Sequence, residues 1–176
     1  MEEKSYKEYL EHITTFIFDV DGVLTDGSVI VTTDGEMLRK MSIKDGYALK
    51  LAVNKGYNIG VISGGTNEGV RLRLEGLGVK DIYLGAHNKM DQLNDYFNKK
   101  GIKSENVLFM GDDVPDLPAM KSIGLPCCPQ DAVPEIKAIS KYVSHKKGGD
   151  GAARDVIEQV LKVQGNWNDL YDAKND

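Results

Sequence analysis

Two aspartates separated by one residue follow a short apolar run near the start of the chain, in the stretch FIFDVDGVLTDG. Phe16, Ile17 and Phe18 predict a short strand buried on both faces, with Asp19 and Asp21 at its carboxyl end. In an extended chain, side chains two residues apart point to the same face, so the two carboxylates can converge. Two close, buried anions repel each other unless a cation or a proton compensates them. The spacing therefore predicts a hard cation at this strand end.

Other polar residues follow later apolar stretches in the same way. Ser63 and Gly64 end the stretch YNIGVISGG, Lys89 precedes a predicted helix, and NVLFMGDD runs into a second acidic cluster. The acids of that cluster are Asp112, Asp113 and Asp116. Oxygen ligands without histidine or cysteine favour Mg²⁺ over zinc. A carboxylate nucleophile, a hydroxyl group and a lysine beside Mg²⁺ are typical of phosphoryl transfer.

Each of these residues also has an ordinary structural explanation. An aspartate after a strand more often caps a helix or forms a turn than catalyses a reaction. Ser63 and Lys89, taken singly, are explained as a loop residue and a surface charge. The combination favours a functional site, because five aspartates in two clusters would destabilise a fold unless they held a metal.

Strands and helices alternate along most of the chain. The predicted strands are Phe16–Asp19, Tyr57–Gly65, Asp81–Leu84, Asn106–Asp113, Leu125–Cys128 and Tyr142–Ser144. The predicted helices are Ser5–Ile13, Asp45–Gly56, Asn67–Leu77, Met90–Lys100, a short one ending at Ile123, Val133–Ala138 and Asp150–Val163. This order predicts an α/β fold with a doubly wound parallel sheet covered on both faces. Ligands of such sheets bind beyond the carboxyl ends of the strands, where the polar residues lie.

One segment departs from this alternation. From about Ser28 to Met41, apolar and polar residues alternate around Asp34-Gly35, a dipeptide that strongly favours a tight turn. The pattern predicts a small β-hairpin that protrudes from the sheet domain.

Length and composition limit the remaining possibilities. The 176 residues predict a single domain, 1–176, with a C-terminal tail from about residue 165. A net charge of −5 without a basic patch argues against a nucleic-acid partner, and no apolar run is long enough to span a membrane. The first residues lack the apolar core of a signal peptide. Cys127 and Cys128 are adjacent and poorly placed to bridge each other, which predicts a reduced compartment, the cytoplasm.

The order of the motifs resembles the haloacid dehalogenase superfamily of aspartate-nucleophile phosphatases. The stretches DVDGVLTDG, ISGG and GDDVPD, with Lys89 between the last two, carry the resemblance. It implies that Asp19 attacks phosphorus to form an aspartyl-phosphate. It also implies that Asp21 protonates the leaving alkoxide and then activates the hydrolytic water.

The same resemblance implies roles for the remaining polar residues. Mg²⁺ would be held by the Asp19 carboxylate, the Asp21 backbone carbonyl and Asp112. Asp116 would support this metal site, and the part played by Asp113 stays open. The transferring phosphoryl group would be bound by Ser63, Gly64 and Lys89.

The spacing leaves no room for a cap domain between Asp21 and Ser63 or between Ser63 and Lys89. The chain is most similar to capless members that hydrolyse 3-deoxy-D-manno-octulosonate 8-phosphate, and close relatives of these act on a nonulosonate 9-phosphate of the KDN or sialic acid type. The shared stretches include KDG, GDDVPDLPAM and GGDGAARDVIE. The resemblance implies a phosphorylated sugar acid as substrate. It also implies a homotetramer in which the hairpins pack together and a neighbouring subunit helps to cover the site.

One position departs from that branch of the superfamily. Its members commonly carry an arginine directly after the SG of the second motif, where this chain has Gly65. A substrate carboxylate would then need another donor, and the candidates are Arg71, Arg73 and Arg154. Arg154 resembles a substrate-carboxylate contact, although a solvated cation near a helix start explains it equally well.

A signalling receiver module is the strongest alternative from another class. Receivers also place acids, a hydroxyl residue, a lysine and Mg²⁺ around a phosphorylated aspartate on a doubly wound sheet. Their acidic pair comes first and the phosphorylated aspartate follows on a separate strand. Here the Asp19–Asp21 pair leads and a second acidic cluster closes the site, which favours the phosphatase.

Overall fold

A parallel sheet of six strands forms the centre of the structure, a computed structural model that describes residues 5–167. The strands of this sheet are, in chain order, β1 (Thr15–Phe18), β4 (Asn58–Ile62), β5 (Asp81–Tyr83), β6 (Val107–Met110), β7 (Leu125–Cys128) and β8 (Tyr142–Val143). The hairpin strands β2 (Ile30–Val31) and β3 (Met37–Leu38) pair with each other outside it. The sheet has the order β5-β4-β1-β6-β7-β8, and all of its pairings are parallel. The predicted doubly wound parallel sheet is confirmed.

Helices cover both faces of this sheet. They are α1 (Tyr6–Leu10), α2 (Ile43–Asn54), α3 (Glu68–Gly76), α4 (Lys89–Lys100), α5 (Leu117–Lys121), α6 (Pro134–Ile139) and α7 (Ala152–Val163). Buried side chains of α1, α2, α3 and α7 join the hydrophobic cluster on one face, and those of α4, α5 and α6 join the cluster on the other. Among residues 5–167, no helix combines the length and apolar character needed to cross a membrane.

The continuous apolar run of β1 follows from its central position. Phe16 and Phe18 enter the cluster on one face, with ring centroids 6.3 Å apart, and Ile17 enters the cluster on the other. All three side chains are fully buried, and each contributes about 1.5–3 kcal/mol relative to an exposed position. The position of Asp19 is therefore fixed by a strand packed on both faces.

The chain reverses its direction of winding beside β1. From β1 it proceeds to β4 and β5 on one side of the sheet, and then crosses to β6, β7 and β8 on the other. The loops after β1 and β6 therefore diverge, and they leave a crevice at the carboxyl ends of these neighbouring strands. The two predicted acidic clusters follow these two strands.

The predicted elements agree with the structure apart from their ends. The leading helix is shorter than predicted, because Ser5 caps its start and only Tyr6–Leu10 are helical. The hairpin contains only two residue pairs, Ile30 with Leu38 and Val31 with Met37. After the turn that follows β1, the chain up to Ser63 forms this hairpin, α2 and β4, and between Ser63 and Lys89 it forms α3 and β5, so neither interval contains a cap domain.

Candidate active site

Eight of the nine predicted site residues line one cavity of about 380 Å³ at the carboxyl ends of the central strands. They are Asp19, Asp21, Ser63, Gly64, Lys89, Asp112, Asp113 and Asp116. The ninth, Arg154, lies elsewhere. Residues that are far apart in the sequence thus meet where the sheet topology predicts a ligand site.

Asp19 is the first residue after β1 and is only 8% exposed. One carboxylate oxygen accepts a hydrogen bond from the backbone N–H of Val20 at 2.6 Å, and the other lies 2.9 Å from Nζ of Lys89. Burial and the nearby Asp116 carboxylate raise the pKa of Asp19 to about 6, although Lys89 opposes this shift. The group is thus held in place and is costly to keep charged without a further cation.

Lys89 and Asp116 form a buried ion pair beneath Asp19. The Nζ atom of Lys89 lies 2.6 Å from Oδ1 of Asp116, while Oδ2 accepts hydrogen bonds from the N–H groups of Asp112 and Asp113 at 3.0 and 3.4 Å. Burial lowers the pKa of Lys89, but the Asp19 and Asp116 carboxylates outweigh it and raise the pKa above its usual value. Both oxygens of Asp116 are thus satisfied by the protein itself.

Asp112 lacks comparable support. Its Oδ1 atom is buried and has no hydrogen-bond partner, and burial together with Asp19 and Asp116 raises its pKa to about 7. Carboxylate oxygens of Asp19, Asp112 and Asp116 lie within 4.8 Å of one another. An all-oxygen set with an unpartnered buried atom and excess negative charge fits a hard divalent cation.

Gly22 makes this close approach of two loops possible. Its φ is +86°, and a Cβ atom there would lie 1.9 Å from Oδ2 of Asp112. Any side chain at this position would displace Asp112 and strain the turn after β1. The glycine that follows the aspartate pair is therefore required by the close approach of Asp112 to the turn after β1.

Ser63 directly follows β4 and is buried at the wall of the cavity. Its Oγ atom accepts a hydrogen bond from the N–H of Gly65 at 3.3 Å, and its own N–H donates to the carbonyl of Tyr83 at 2.9 Å. Gly64 is exposed beside it. The hydroxyl group and the adjacent backbone thus offer hydrogen-bonding groups to an anion in the cavity.

Sequence reasoning missed Arg39, which follows the hairpin strand β3. Its Nε and Nη2 atoms donate to the two carboxylate oxygens of Asp21, at 2.8 and 3.1 Å, and its side chain is 8% exposed. The only sequence signal was an arginine at the end of an alternating hairpin segment. That pattern does not reveal a contact across 18 positions.

Arg154 lies on α7 in a separate cavity of about 510 Å³. Its guanidinium lies 5.5 Å from the ring centres of Tyr47 and Trp167, and Nε donates to Glu158 at 3.3 Å. Within this chain Arg154 does not line the cavity of the other site residues. The alternative cations Arg71 and Arg73 do not line that cavity either.

Asp113 has a local structural role. Its side chain accepts a hydrogen bond from the N–H of Val114 at 2.7 Å and caps the short helical turn Val114–Asp116. Asp113 is exposed, whereas Asp116 at the end of the same turn is buried. The cap orients Asp116 toward Lys89 and so contributes to the site indirectly.

Together these features define a class of hydrolase. A doubly wound sheet carries an aspartate pair after its central strand, and neighbouring strands supply a hydroxyl group, a lysine and further carboxylates. The family model described as haloacid dehalogenase-like hydrolase matches residues 75–155. This match includes Lys89 and the second acidic cluster.

Sequence relatives extend this assignment over most of the chain. The 3-deoxy-D-manno-octulosonate 8-phosphate phosphatase KdsC of Salmonella typhi is 36% identical over 159 residues, which cover 90% of this chain and 85% of the relative. The protein of the same name from Haemophilus influenzae is 33% identical over 90% of this chain and 88% of its own length. The chain therefore belongs to the haloacid dehalogenase-like hydrolases, in the family that includes these phosphatases, and it is a phosphatase.

Solved structures agree with the sequence comparison. The 3-deoxy-D-manno-octulosonate 8-phosphate phosphatase of Yersinia pestis superposes with a TM-score of 0.90 at 29% identity, covering 93% of this chain and 88% of that one. The Moraxella catarrhalis phosphatase, in complex with magnesium ion, phosphate ion and a KDO molecule, gives 0.88 at 32% identity, with 92% and 93% covered. A cobalt-bound form from Haemophilus influenzae gives 0.87 at 32% identity, with 94% of each chain covered.

Proposed function

We propose that this phosphatase hydrolyses 3-deoxy-D-manno-octulosonate 8-phosphate in the cytoplasm, with Mg²⁺ as cofactor. The observation that carries the proposal is the buried Asp19 carboxylate, which is fixed beside Lys89 and lies within 4.8 Å of a carboxylate oxygen of Asp112, a residue that also has an unpartnered buried oxygen. The names of the relatives and the KDO molecule in the Moraxella structure support the substrate.

The first half-reaction transfers the phosphoryl group to Asp19. A carboxylate oxygen of Asp19 forms a bond to phosphorus while the bond from phosphorus to the sugar oxygen breaks. Asp21, in its acid form, donates a proton to that oxygen, and the sugar acid leaves as an alcohol. An aspartyl-phosphate remains on the enzyme.

The second half-reaction releases inorganic phosphate. The Asp21 carboxylate takes a proton from a water molecule, whose oxygen forms the new bond to phosphorus. The bond from phosphorus to the Asp19 oxygen breaks, and the electron pair returns to the Asp19 carboxylate. Both aspartates are then in the state from which the cycle began.

The remaining residues of the cavity bind and orient the phosphoryl group. Lys89 offers its ammonium group to the phosphoryl oxygens, and Ser63 and Gly64 offer hydroxyl and backbone donors. The Asp19 carboxylate, the Asp21 backbone carbonyl and Asp112 would hold Mg²⁺. When bound, the ion supplies positive charge that offsets the carboxylates and the developing charge on the phosphoryl oxygens.

We propose in addition that the chain forms a homotetramer through its hairpin. The hairpin carries exposed apolar side chains, which are unfavourable in water and would be buried between copies of the chain. These are Val29, Ile30, Val31, Met37 and Leu38. An adjacent subunit could then supply contacts to the sugar acid that this chain's own cavity lacks.

The decisive experiment measures kcat/KM with Mg²⁺ for octulosonate 8-phosphate and for a nonulosonate 9-phosphate. The nine-carbon substrate is the alternative because Gly65 stands where the octulosonate phosphatases commonly carry an arginine. A tenfold preference, about 1.4 kcal/mol of transition-state discrimination, assigns the substrate. Phosphate release from neither sugar acid would contradict the proposed substrate class.

A further inference from the structure

Asp21 lines the cavity from the turn that follows β1. Its side chain is 37% exposed, and the next residue, Gly22, has a positive φ within a non-helical turn. A proton donor that serves two successive steps must nevertheless stay aligned with the reacting oxygen. The described structure shows how the orientation is fixed, because Arg39 donates to both carboxylate oxygens.

Arg39 is itself anchored on two sides. Its Nη1 atom donates to the carbonyl of Met37 at 2.9 Å, and the same carbonyl accepts a hydrogen bond from Nδ2 of Asn67 at 3.1 Å. Asn67 also caps α3, since its Oδ1 accepts from the N–H of Val70. The guanidinium therefore connects the hairpin, the start of α3 and the turn after β1.

Gly65 provides the space for this connection. A Cβ atom at position 65 would lie 3.3 Å from Nη2 of Arg39 and 3.3 Å from Oδ2 of Asp21. A longer side chain there would compete for the volume that the ion pair occupies. The short residue in the second motif and the long residue on the hairpin are thus complementary in shape.

We propose that Arg39 is the positioning residue for Asp21, and that it makes the hairpin part of the catalytic machinery. The inference rests on the proposed role of Asp21 in proton transfer. A planar guanidinium that donates to both oxygens fixes the plane of a carboxylate, whereas a lysine offers a point charge without that orientation. Losing the alignment should slow the chemical step more than substrate binding.

The test compares Arg39→Gln and Arg39→Lys with the neighbouring variant Lys40→Gln. Lys40 is a suitable control because its side chain is 79% exposed and lies 3.5 Å from Asp26, outside the cavity. Each variant is assayed for kcat and KM on octulosonate 8-phosphate and on p-nitrophenyl phosphate. The aryl group leaves readily as an anion and needs little help from a proton donor.

Arg39→Gln should lower kcat on the sugar phosphate by about 10–100-fold and change KM by less than about threefold. The loss of kcat/KM on p-nitrophenyl phosphate should be smaller, because kcat/KM reports the first half-reaction, in which this leaving group needs little help from a proton donor. Arg39→Lys should restore part of the rate, and Lys40→Gln should stay within about twofold of the parent. In an Asp21→Asn background, Arg39→Gln should change the residual kcat by less than about twofold, because the group it positions has been removed.

Other results would overturn the inference. An unchanged kcat in Arg39→Gln, or a full additional loss in the Asp21→Asn background, would show that Arg39 does not act through Asp21. A rise in KM confined to the sugar acid would make Arg39 a direct substrate contact instead. If Asp21→Asn kept the parental kcat, both the proposed role of Asp21 and the inference about Arg39 would fail. If Asp21→Asn were inactive and Arg39→Gln fully active, the inference about Arg39 would fail while the role of Asp21 would stand.

Discussion

The site carboxylates differ in how many protein donors each one receives. Asp19 has the N–H of Val20 and the ammonium of Lys89, and Asp116 has Lys89 and two backbone N–H groups. Asp112 has a buried oxygen without any such partner. Hydrogen bonds favour the charged form and burial disfavours it, so Asp112 has the greatest need of an added cation.

Replacing the nucleophile tests the proposed chemistry most directly. Asp19→Asn should lower kcat by at least about a thousandfold, because a neutral amide cannot attack phosphorus. Folding should survive, since the variant removes one of several crowded negative charges. The measurement is steady-state phosphate release together with acid quench of the parent, which should trap a phosphoenzyme. The exposed Asp91→Asn variant is the control, and activity of Asp19→Asn within tenfold of this control would contradict the assignment.

Because the pKa of Asp112 is raised, the free energy of unfolding of the metal-free protein should depend on pH. The pKa is 3.8 for an ordinary aspartate and about 7 in the folded chain, so the folded state binds the proton more tightly. The free energy of unfolding should therefore decrease as pH rises from about 4 to about 7. Asp112→Asn removes this penalty and should stabilise the metal-free protein at pH 8 by about 1–2 kcal/mol, with the full linkage value reduced by solvent screening.

Added Mg²⁺ should make the parent more stable to unfolding than Asp112→Asn. The parent should gain about 2.7 kcal/mol at a Mg²⁺ concentration 100 times Kd, while Asp112→Asn should gain little. Urea denaturation at pH 5 and pH 8, with chelator or with Mg²⁺, measures both effects, and Asp91→Asn should behave as the parent does. Equal stabilisation of the parent and Asp112→Asn by Mg²⁺ would remove Asp112 from the ligand set.

At the level of elements, α7 depends on a residue from α2 for its cap. Gly151 at the N-terminus of α7 has no side chain to accept hydrogen bonds, and the buried Asp45 accepts from the N–H of Arg154 at 2.8 Å. Burial raises the pKa of Asp45 to about 6. The KDG stretch is thus explained by helix capping between two distant parts of the chain.

Two substitutions of Asp45 distinguish its role as a hydrogen-bond acceptor from the effect of its charge. Asp45→Asn keeps an acceptor, and its free energy of unfolding should equal that of the parent near pH 4. At pH 8 the variant should be more stable by about 1 kcal/mol, because the pKa of Asp45 is raised in the folded state and its charge is costly above that pKa. Asp45→Ala removes the acceptor and should be less stable than Asp45→Asn by about 1–2 kcal/mol at either pH. Urea denaturation at both pH values measures this, and equal stability of the two variants would exclude the cap.

The strands and the acidic clusters could be predicted because their signals are local. Apolar runs that end in acids placed Asp19 and Asp112 at adjacent strand ends, and parallel-sheet topology brought them together. Arg39 and Asp45 could not be found in this way, since each acts through a partner 18 or 109 positions away. Arg154 was assigned by resemblance alone, and its stacking partners come from α2 and the segment after α7.

The predicted C-terminal tail, from about residue 165, lies only partly within the described residues. Trp167 packs within its own chain, with its ring 6.4 Å from that of Tyr47, and Tyr171 lies outside the described residues. The single-domain prediction for 1–176 likewise stays a prediction.

For the whole molecule, the exposed apolar hairpin is the feature that a monomer explains least well. Ile30 and Val31 are 68% and 66% exposed, on a hairpin whose two strands contain two residues each. An isolated two-stranded hairpin is marginally stable in water. Packing between copies of the chain would bury these side chains and would also hold Arg39 against Asp21, so assembly and activity should be coupled.

Charging the hairpin tests this coupling. Val31→Asp should disperse the proposed tetramer, because assembly would bury an unpaired carboxylate at a cost of several kcal/mol. Sedimentation velocity should give a species of four chains for the parent and smaller species for the variant, with kcat falling in parallel. Val143→Asp is the control, since Val143 is an exposed residue of the same type on the edge strand β8, where charges are well tolerated. A parent that sediments as one 19.4 kDa chain, or a Val31→Asp variant that stays assembled, would contradict the role of the hairpin.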